Sequence, residues 1–447
     1  MKMLFIISTM LISLLAALVS YYFYGSSLTV YMVIPFVLML LAIAVVPLVN
    51  PKWWHKNFPM VAMLIAVPTA VAITTFNWHW IYETTLEYLS FIVLLGSLYI
   101  ISGGILLKEK LRISSSVNTT LLVIGAIVAN IIGTTGASML LIRPLIRLNK
   151  ERKNKVHLIV FFIFIVGNIA GSLTPLGDPP LFLGFLKGVP FFWTLRIFPA
   201  WLLTNGLLLL IFFITDTLLL RSEQLKEATR ESSSIKVVGK RNVLLISGVI
   251  ATMLIYSSLP AGMDVLVKDL IQIGLMSLMA YISTRITPKR YREENKFTWA
   301  PIKEVAILFA AIFVTMIPAL KLLETRGAEL GVHTASQFFW ATGTLSSFLD
   351  NAPTYLSFMS LGKSITTNLT TNVLLSDGSY IAVPILMAIS MGAVFMGAMT
   401  YIGNAPNFMI KSVSEDAGIK MPSFFGYMVW SVIILIPIFI LNVLIFF

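Results

Sequence analysis

The chain has 447 residues, 57% of them hydrophobic and 12% charged, with a mean hydropathy of +0.90; a soluble domain usually carries about 25% charged residues. This balance predicts an all-α polytopic membrane protein and leaves no stretch long enough for a separate catalytic domain, so an enzyme is not expected. The net charge of +12 lies in short Lys/Arg clusters between apolar segments, where cytoplasmic loops carry it, which argues against a nucleic-acid partner. With no cysteine, disulfides and thiolate metal sites are excluded.

The first apolar segment, near 4–24, follows Lys2; it is long enough to span and lacks a small-x-small cleavage signal, so it reads as a retained, peripheral helix comprising the unit 1–28. With Lys2 cytoplasmic, segments near 29–49, 59–76 and 86–107 alternate and return Lys108 to Arg112 to the same side. The apolar stretch 117–142 is basic at both ends, which suits a re-entrant hairpin better than a span. Asn130 to Gly136 would form its turn. A broken span over 156–186 and a helix over 198–220 follow, closing a first repeat over 29–220 before a cytoplasmic linker at 221–241.

The second half, 242–447, repeats the plan with segments near 242–259, 265–283 and 304–320, a hairpin over 338–360, a broken span over 380–411 and a last helix over 424–447. About 11 transmembrane helices plus two re-entrant hairpins result, each helix needing about 20 residues. The odd count makes this an inverted repeat, with the N-terminus cytoplasmic and the C-terminus external. A bacterial inner membrane is the expected location.

The strongest signal is internal. Gly171-Ser-Leu-Thr-Pro-Leu-Gly-Asp-Pro-Pro-Leu-Phe-Leu183 returns 226 residues later as Gly397-Ala-Met-Thr-Tyr-Ile-Gly-Asn-Ala-Pro-Asn-Phe-Met409. Duplicated helix breaks inside apolar sequence mark the central binding site of a secondary transporter. The hairpin turns, matched at Asn130 and Asn351, lie 221 residues apart. Asp178 in the first break and Asp350 in the second turn are costly inside a bilayer and so are the leading functional candidates; the alternative is that each caps a half-helix. Thr174, Thr400, Asn404, Asn130, Thr134, Asn351 and Thr354 supply oxygen ligands that suit a hard cation such as Na+ at Asp178 and Asp350. Neither hairpin nor either break carries Lys or Arg over these boundaries, which favours a cation without excluding an anion. Asn168 and Asn407 would support the site from behind or serve as polar glue between helices. His55, His79 and His333 are expected in loops and His157 beside the basic cluster, with no metal grouping; Asp216 would pair with Arg221 at a helix end.

Asn130-Ile-Ile-Gly-Thr-Thr-Gly-Ala-Ser138, Gly167-Asn168, Leu173 to Pro180, Leu349 to Thr354 and Ile402 to Pro406 together resemble the ion transporter superfamily, in its arsenite permease/NhaD-type sodium:proton antiporter branch. The likeness covers almost the whole chain after the first helix. It implies a homodimer whose scaffold domains hold the interface while a transport domain of hairpins and broken spans moves by an elevator-type motion. It also implies proton-linked sodium transport, with Na+ and H+ as coupling ions, no cofactor, and Asp178, Asp350, Asn351, Asn130 and Thr174 at the family's polar positions. Pro179-Pro180-Leu181 after the Gly-Asp pair is closer to the arsenite permease and citrate-transporter relatives. The leading expectation is a sodium/proton antiporter. The alternative is a cation-coupled carrier of a carboxylate or another oxyanion, including arsenite.

Overall fold

The computed structural model describes residues 28–110, 113–223, 234–260, 263–366 and 372–447; the helix expected near 4–24 lies outside the described residues. Ten helices among them are long and apolar enough to cross a membrane, and the protein is an all-α polytopic membrane protein. The first three are α1 (Ile34–Val49), α2 (Pro51–Phe76) and α3 (Trp78–Ser102). Their starts follow local chemistry: Asn50 accepts from Trp53 N at 3.2 Å and Asn77 from His79 N at 3.0 Å, satisfying amides that a helix cannot pair internally. His55 and His79 therefore sit in the first turns of α2 and α3 rather than in loops.

One of the ten, α4 (Ser115–Leu148), is a folded hairpin. Gly133 interrupts it at φ 79° and ψ 157°, a conformation that only glycine adopts without strain. Asn118 and Asn149, 31 residues apart, exchange side-chain hydrogen bonds of 3.1 and 2.8 Å; a straight helix would hold them roughly 46 Å apart. The second arm runs on to Leu148, so it carries Arg143 and Arg147, contrary to the shorter, uncharged hairpin expected from hydropathy. A first broken span follows as α5 (Val156–Ile165), a turn at Ile169–Leu173 and α6 (Pro179–Leu186), and then α7 (Phe198–Ser222).

The second half contains α8 (Lys240–Ser258), α9 (Val265–Ile286), the short α10 (Lys289–Glu294) and α11 (Ala300–Arg326). A second hairpin follows, formed by α12 (Ala335–Ser346) and α13 (Asn351–Ile365), then a broken span of α14 (Val383–Met396) and α15 (Ala405–Asp416), and α16 (Phe424–Phe446). Thr334 and Gln337 close a capping box at the start of α12.

Two small antiparallel ribbons were not anticipated. β1 (Leu106–Lys110) pairs with β2 (Ser234–Val238), Leu106 opposite Val238, and β3 (Asn372–Leu374) pairs with β4 (Tyr380–Ala382). The first ribbon uses the linker between the halves, whose charges mask the short alternation of Ile235 and Val237. The second lies beside Asp377, whose carboxyl is pushed up by burial but drawn down further by hydrogen bonds from Lys363 and Ser379, to about 2.

The hairpins enter from opposite faces. The base of the first shares a face with the end of α15, which packs on α4. The base of the second shares the other face with the end of α6, where Ser376 N donates to Lys187 O at 2.9 Å. Both tips meet at the breaks, which the remaining helices enclose. The span Val156–Leu173 is accordingly 89% buried, whereas Phe424–Phe446 is 28% buried and faces lipid.

Asp216 does not pair with Arg221. It is buried and joined to Arg152, to His157 Nε2 at 2.8 Å and to Asn118 Nδ2 at 3.0 Å. The segment 149–155 folds back to bring Arg152 to α7, a return that helical periodicity does not encode. The cluster fastens the base of the first hairpin to α5 and α7.

Candidate transport site

The two breaks exist because glycine permits their crossing. A Cβ on Gly177 would stand 2.0 Å from Gly171 O, and one on Gly403 would stand 2.5 Å from Gly397 O. Each break is thus a backbone loop closed on itself, and the two loops carry the duplicated sequence. In each, a threonine ties the loop to the adjacent hairpin: Thr174 Oγ1 donates to Asn130 O and Thr400 Oγ1 to Ser347 O, both at 2.5 Å.

These contacts set the register of the repeat. Asn130 faces its break as Ser347 does, and Thr134 corresponds to Asn351; both pairs are 217 residues apart. The match of Asn130 with Asn351 is therefore displaced by one helical turn. Asp350 corresponds to Gly133. Sequence comparison slipped because both turns contain Asn and the hairpin arms differ in length.

Asp178 stands where the tips and breaks converge. Its side chain is enclosed, the residue being only 1% exposed. Oδ1 accepts from Thr134 Oγ1 at 2.9 Å and from Asn404 Nδ2 at 3.0 Å, and Oδ2 accepts from Asn351 Nδ2 at 2.9 Å. Each donor comes from a different element, so this carboxylate joins both hairpins to both breaks. No basic side chain is among its hydrogen-bond partners in the described residues; the three donors are neutral.

The other expected ligands divide by role. Asn130 uses Oδ1 to accept Leu173 N at 2.9 Å, and Thr400 also accepts from the amides of Ile402 and Gly403. Thr354 donates to Asp350 O at 3.0 Å, and Asp350 caps its own helix by accepting Ala352 N at 3.1 Å. None of these five, Thr174 included, touches Asp178 among the described contacts. Asn168 and Asn407 brace one break against the other: Asn168 Nδ2 donates to Asn407 Oδ1 at 2.6 Å, and Asn407 Nδ2 donates to Gly397 O and Thr400 O, both at 2.8 Å. Ser346 and Ser347 were missed. Ser346 Oγ lies 2.6 Å from Asn351 Oδ1 and 2.7 Å from Ala393 O; the Ser-Ser pair preceding the second turn was the available signal.

A cleft of about 100 Å³ opens beside this centre, lined by Thr134, Thr135 and Gly136 of the first hairpin, Gly177 and Pro179 of the first break, and Tyr99 of α3, with further residues from α11 and α15. Its polar rim is the first turn of the hairpin's second arm. On the opposite face, ion pairs join Lys187 to Glu87 of α3 at 2.5 Å and Lys363 to Glu324 of α11 at 2.9 Å.

Residues 25–447 match the model of a family described as "Putative citrate transport". The chain belongs to this citrate-transport family. No curated protein matches it significantly. Membership makes it a secondary transporter of the carboxylate or ion type, embedded in the bilayer through the spans described above. The family match reaches the citrate-transporter side of the expected resemblance; it does not reach the arsenite permease or NhaD-type branch.

Proposed function

We propose that the protein carries a small multivalent carboxylate of the citrate class across the membrane, coupled to a cation, with Asp178 as the coupling group. The observation that carries this reading is the asymmetry of the hairpin tips. The second tip is capped by Asp350, whereas the corresponding position of the first is Gly133, which offers no carboxylate. A helix start without an acidic cap favours an anion, and it is this start, Thr134 to Gly136, that lines the cleft.

Asp178 suits a proton better than a caged metal ion in this arrangement. Asn351 and Asn404 turn nitrogen toward it and Thr134 donates its hydroxyl, a set built for a carboxylate that gains and loses a proton. In the transport cycle, the hairpins, broken spans, α7 and α16 would move together against the scaffold of α1 to α3, α8, α9 and α11.

A sodium/proton antiporter is the second reading. It is favoured by the closeness of two carboxylates, since Asn351, the chain neighbour of Asp350, donates to Asp178 Oδ2 at 2.9 Å. Proteoliposomes separate the readings. The first expects saturable uptake of labelled citrate that depends on a proton or Na+ gradient; Na+-driven proton movement with no citrate uptake selects the second.

A further inference from the structure

The cleft has a cationic neighbour that the transport site does not use. Arg143 lies seven residues beyond Gly136 on the second arm of the first hairpin. Residues at that spacing share a helix face, about 10 Å apart along the axis, so Arg143 stands on the cleft-facing stripe, two turns nearer the base. The same relation holds on α15, where Asp416 lies seven residues beyond Met409, which also lines the cleft. The two helices pack against each other, so Arg143 and Asp416, each seven residues beyond a lining residue, stand toward the same end of the cleft.

The guanidinium is incompletely used. Its Nη1 is buried and has no hydrogen-bond partner among the described residues. A buried donor left unpaired is uncommon enough to need a cause. Arginine presents a planar fork that matches a carboxylate in two places, and it stays charged when partly dehydrated.

We propose that Arg143 is a specificity-determining residue at the mouth of the cleft, which draws in the carboxylate substrate and engages it before it reaches the first hairpin tip, with Asp416 opposing that attraction. This rests on the carboxylate reading above. It makes the hairpin both the floor of the site and the source of its selectivity for anions.

The test is citrate binding to purified protein in nanodiscs, which exposes both faces, together with initial uptake in proteoliposomes. Wild type, R143Q, R143K, D416N and R143Q/D416N are compared at low and high ionic strength. Loss of one charged hydrogen-bonding partner weakens affinity by about 10- to 100-fold, so R143Q should raise the citrate Kd at least 10-fold and flatten its salt dependence. R143K, which keeps the charge but loses the two-point fork, should fall between wild type and R143Q in affinity while keeping the wild-type salt dependence. D416N should bind citrate more tightly than wild type, and the gain should shrink in the R143Q/D416N double variant, a coupling that a merely structural Arg143 does not produce. Wild-type affinity and salt dependence in R143Q overturn the proposal; if R143Q does not assemble, unchanged or weaker binding by D416N does so instead. A wild-type protein that neither binds nor moves any carboxylate overturns the underlying reading, a result distinct from both.

Discussion

Replacing Asp178 by asparagine or by alanine separates the charge of this carboxylate from its structural work. In D178N, the remaining Oδ1 keeps the bonds from Thr134 Oγ1 and Asn404 Nδ2 at 2.9 and 3.0 Å. The new amide nitrogen then faces Asn351 Nδ2. That clash is relieved if Asn351 turns its amide, because Ser346 Oγ already lies 2.7 Å from Ala393 O and can donate there while accepting from Asn351. The rearrangement costs about one hydrogen bond, or about 1 kcal/mol. D178A has no such escape. It strands the buried donors of Thr134 and Asn351 and leaves Asn404 Nδ2 only its 3.3 Å bond to Gly167 O; each stranded donor costs about 1–3 kcal/mol, for a total of about 4 kcal/mol.

The expected outcome is therefore a D178N protein that assembles with a thermal midpoint within a few degrees of wild type, yet loses cation-coupled uptake by at least 100-fold, and a D178A protein that fails to accumulate. Fluorescence-detected size-exclusion chromatography with heating reads the first property, and gradient-driven uptake in proteoliposomes reads the second. Wild-type uptake by D178N would reduce Asp178 to a structural acceptor. Equal thermal midpoints for D178A and wild type would refute the hydrogen-bond argument itself.

The breaks should reject side chains: G177A and G403A, whose Cβ atoms would meet backbone oxygens at 2.0 and 2.5 Å, should abolish assembly, whereas G206A, with nothing within 4 Å, should behave as wild type in the same chromatographic assay. Lys187 and Glu87 join the first broken span to α3, across the proposed boundary between transport and scaffold parts, and are 34% and 25% exposed at their side chains. Exposed pairs contribute only about 0–1 kcal/mol, so K187Q should leave the thermal midpoint nearly unchanged while altering the uptake rate several-fold, and the charge-swapped K187E/E87K protein should recover; no change in rate would mean that the pair does not act in the cycle. Because the chain contains no cysteine, K150C and L330C can be labelled with an impermeant thiol reagent in oriented membranes; labelling from the same side would contradict the opposed entry of the hairpins.

Much of this architecture was legible because bilayers punish irregular backbone. The duplicated Gly-Asp/Asn-x-Pro segments identify both breaks, and Asp178, Asn404, Asn351 and Thr134, all readable as polar residues in apolar surroundings, form one cluster. Side-chain direction was not legible. Thr174, Asn130, Thr400 and Thr354 have the same composition signature but spend polar atoms on backbone groups of the hairpins and the first break. A sequence shows that a polar group is present; only packing decides whether it serves the chain or a solute. Asp216 illustrates the same point, since its partners Arg152 and His157 reach it through a chain reversal.

The hairpin register carries the larger lesson about symmetry. An inverted repeat with identical halves would place equal groups at both tips, and a solute at the midplane would meet the same charge from either face. Here Gly133 occupies the place of Asp350, and Asp178 occupies the place of Asn404. One half supplies a carboxylate at its break and a bare helix start at its tip; the other supplies an amide at its break and an acidic cap at its tip. The charges therefore lie diagonally, which leaves the first tip electropositive beside a buried acid. An anion held at Thr134 to Gly136 would lie close to Asp178, whose negative charge opposes it, so neutralising Asp178 and binding the anion favour each other. Reciprocal coupling of that kind is what linkage requires of a carrier that moves its substrate with a cation.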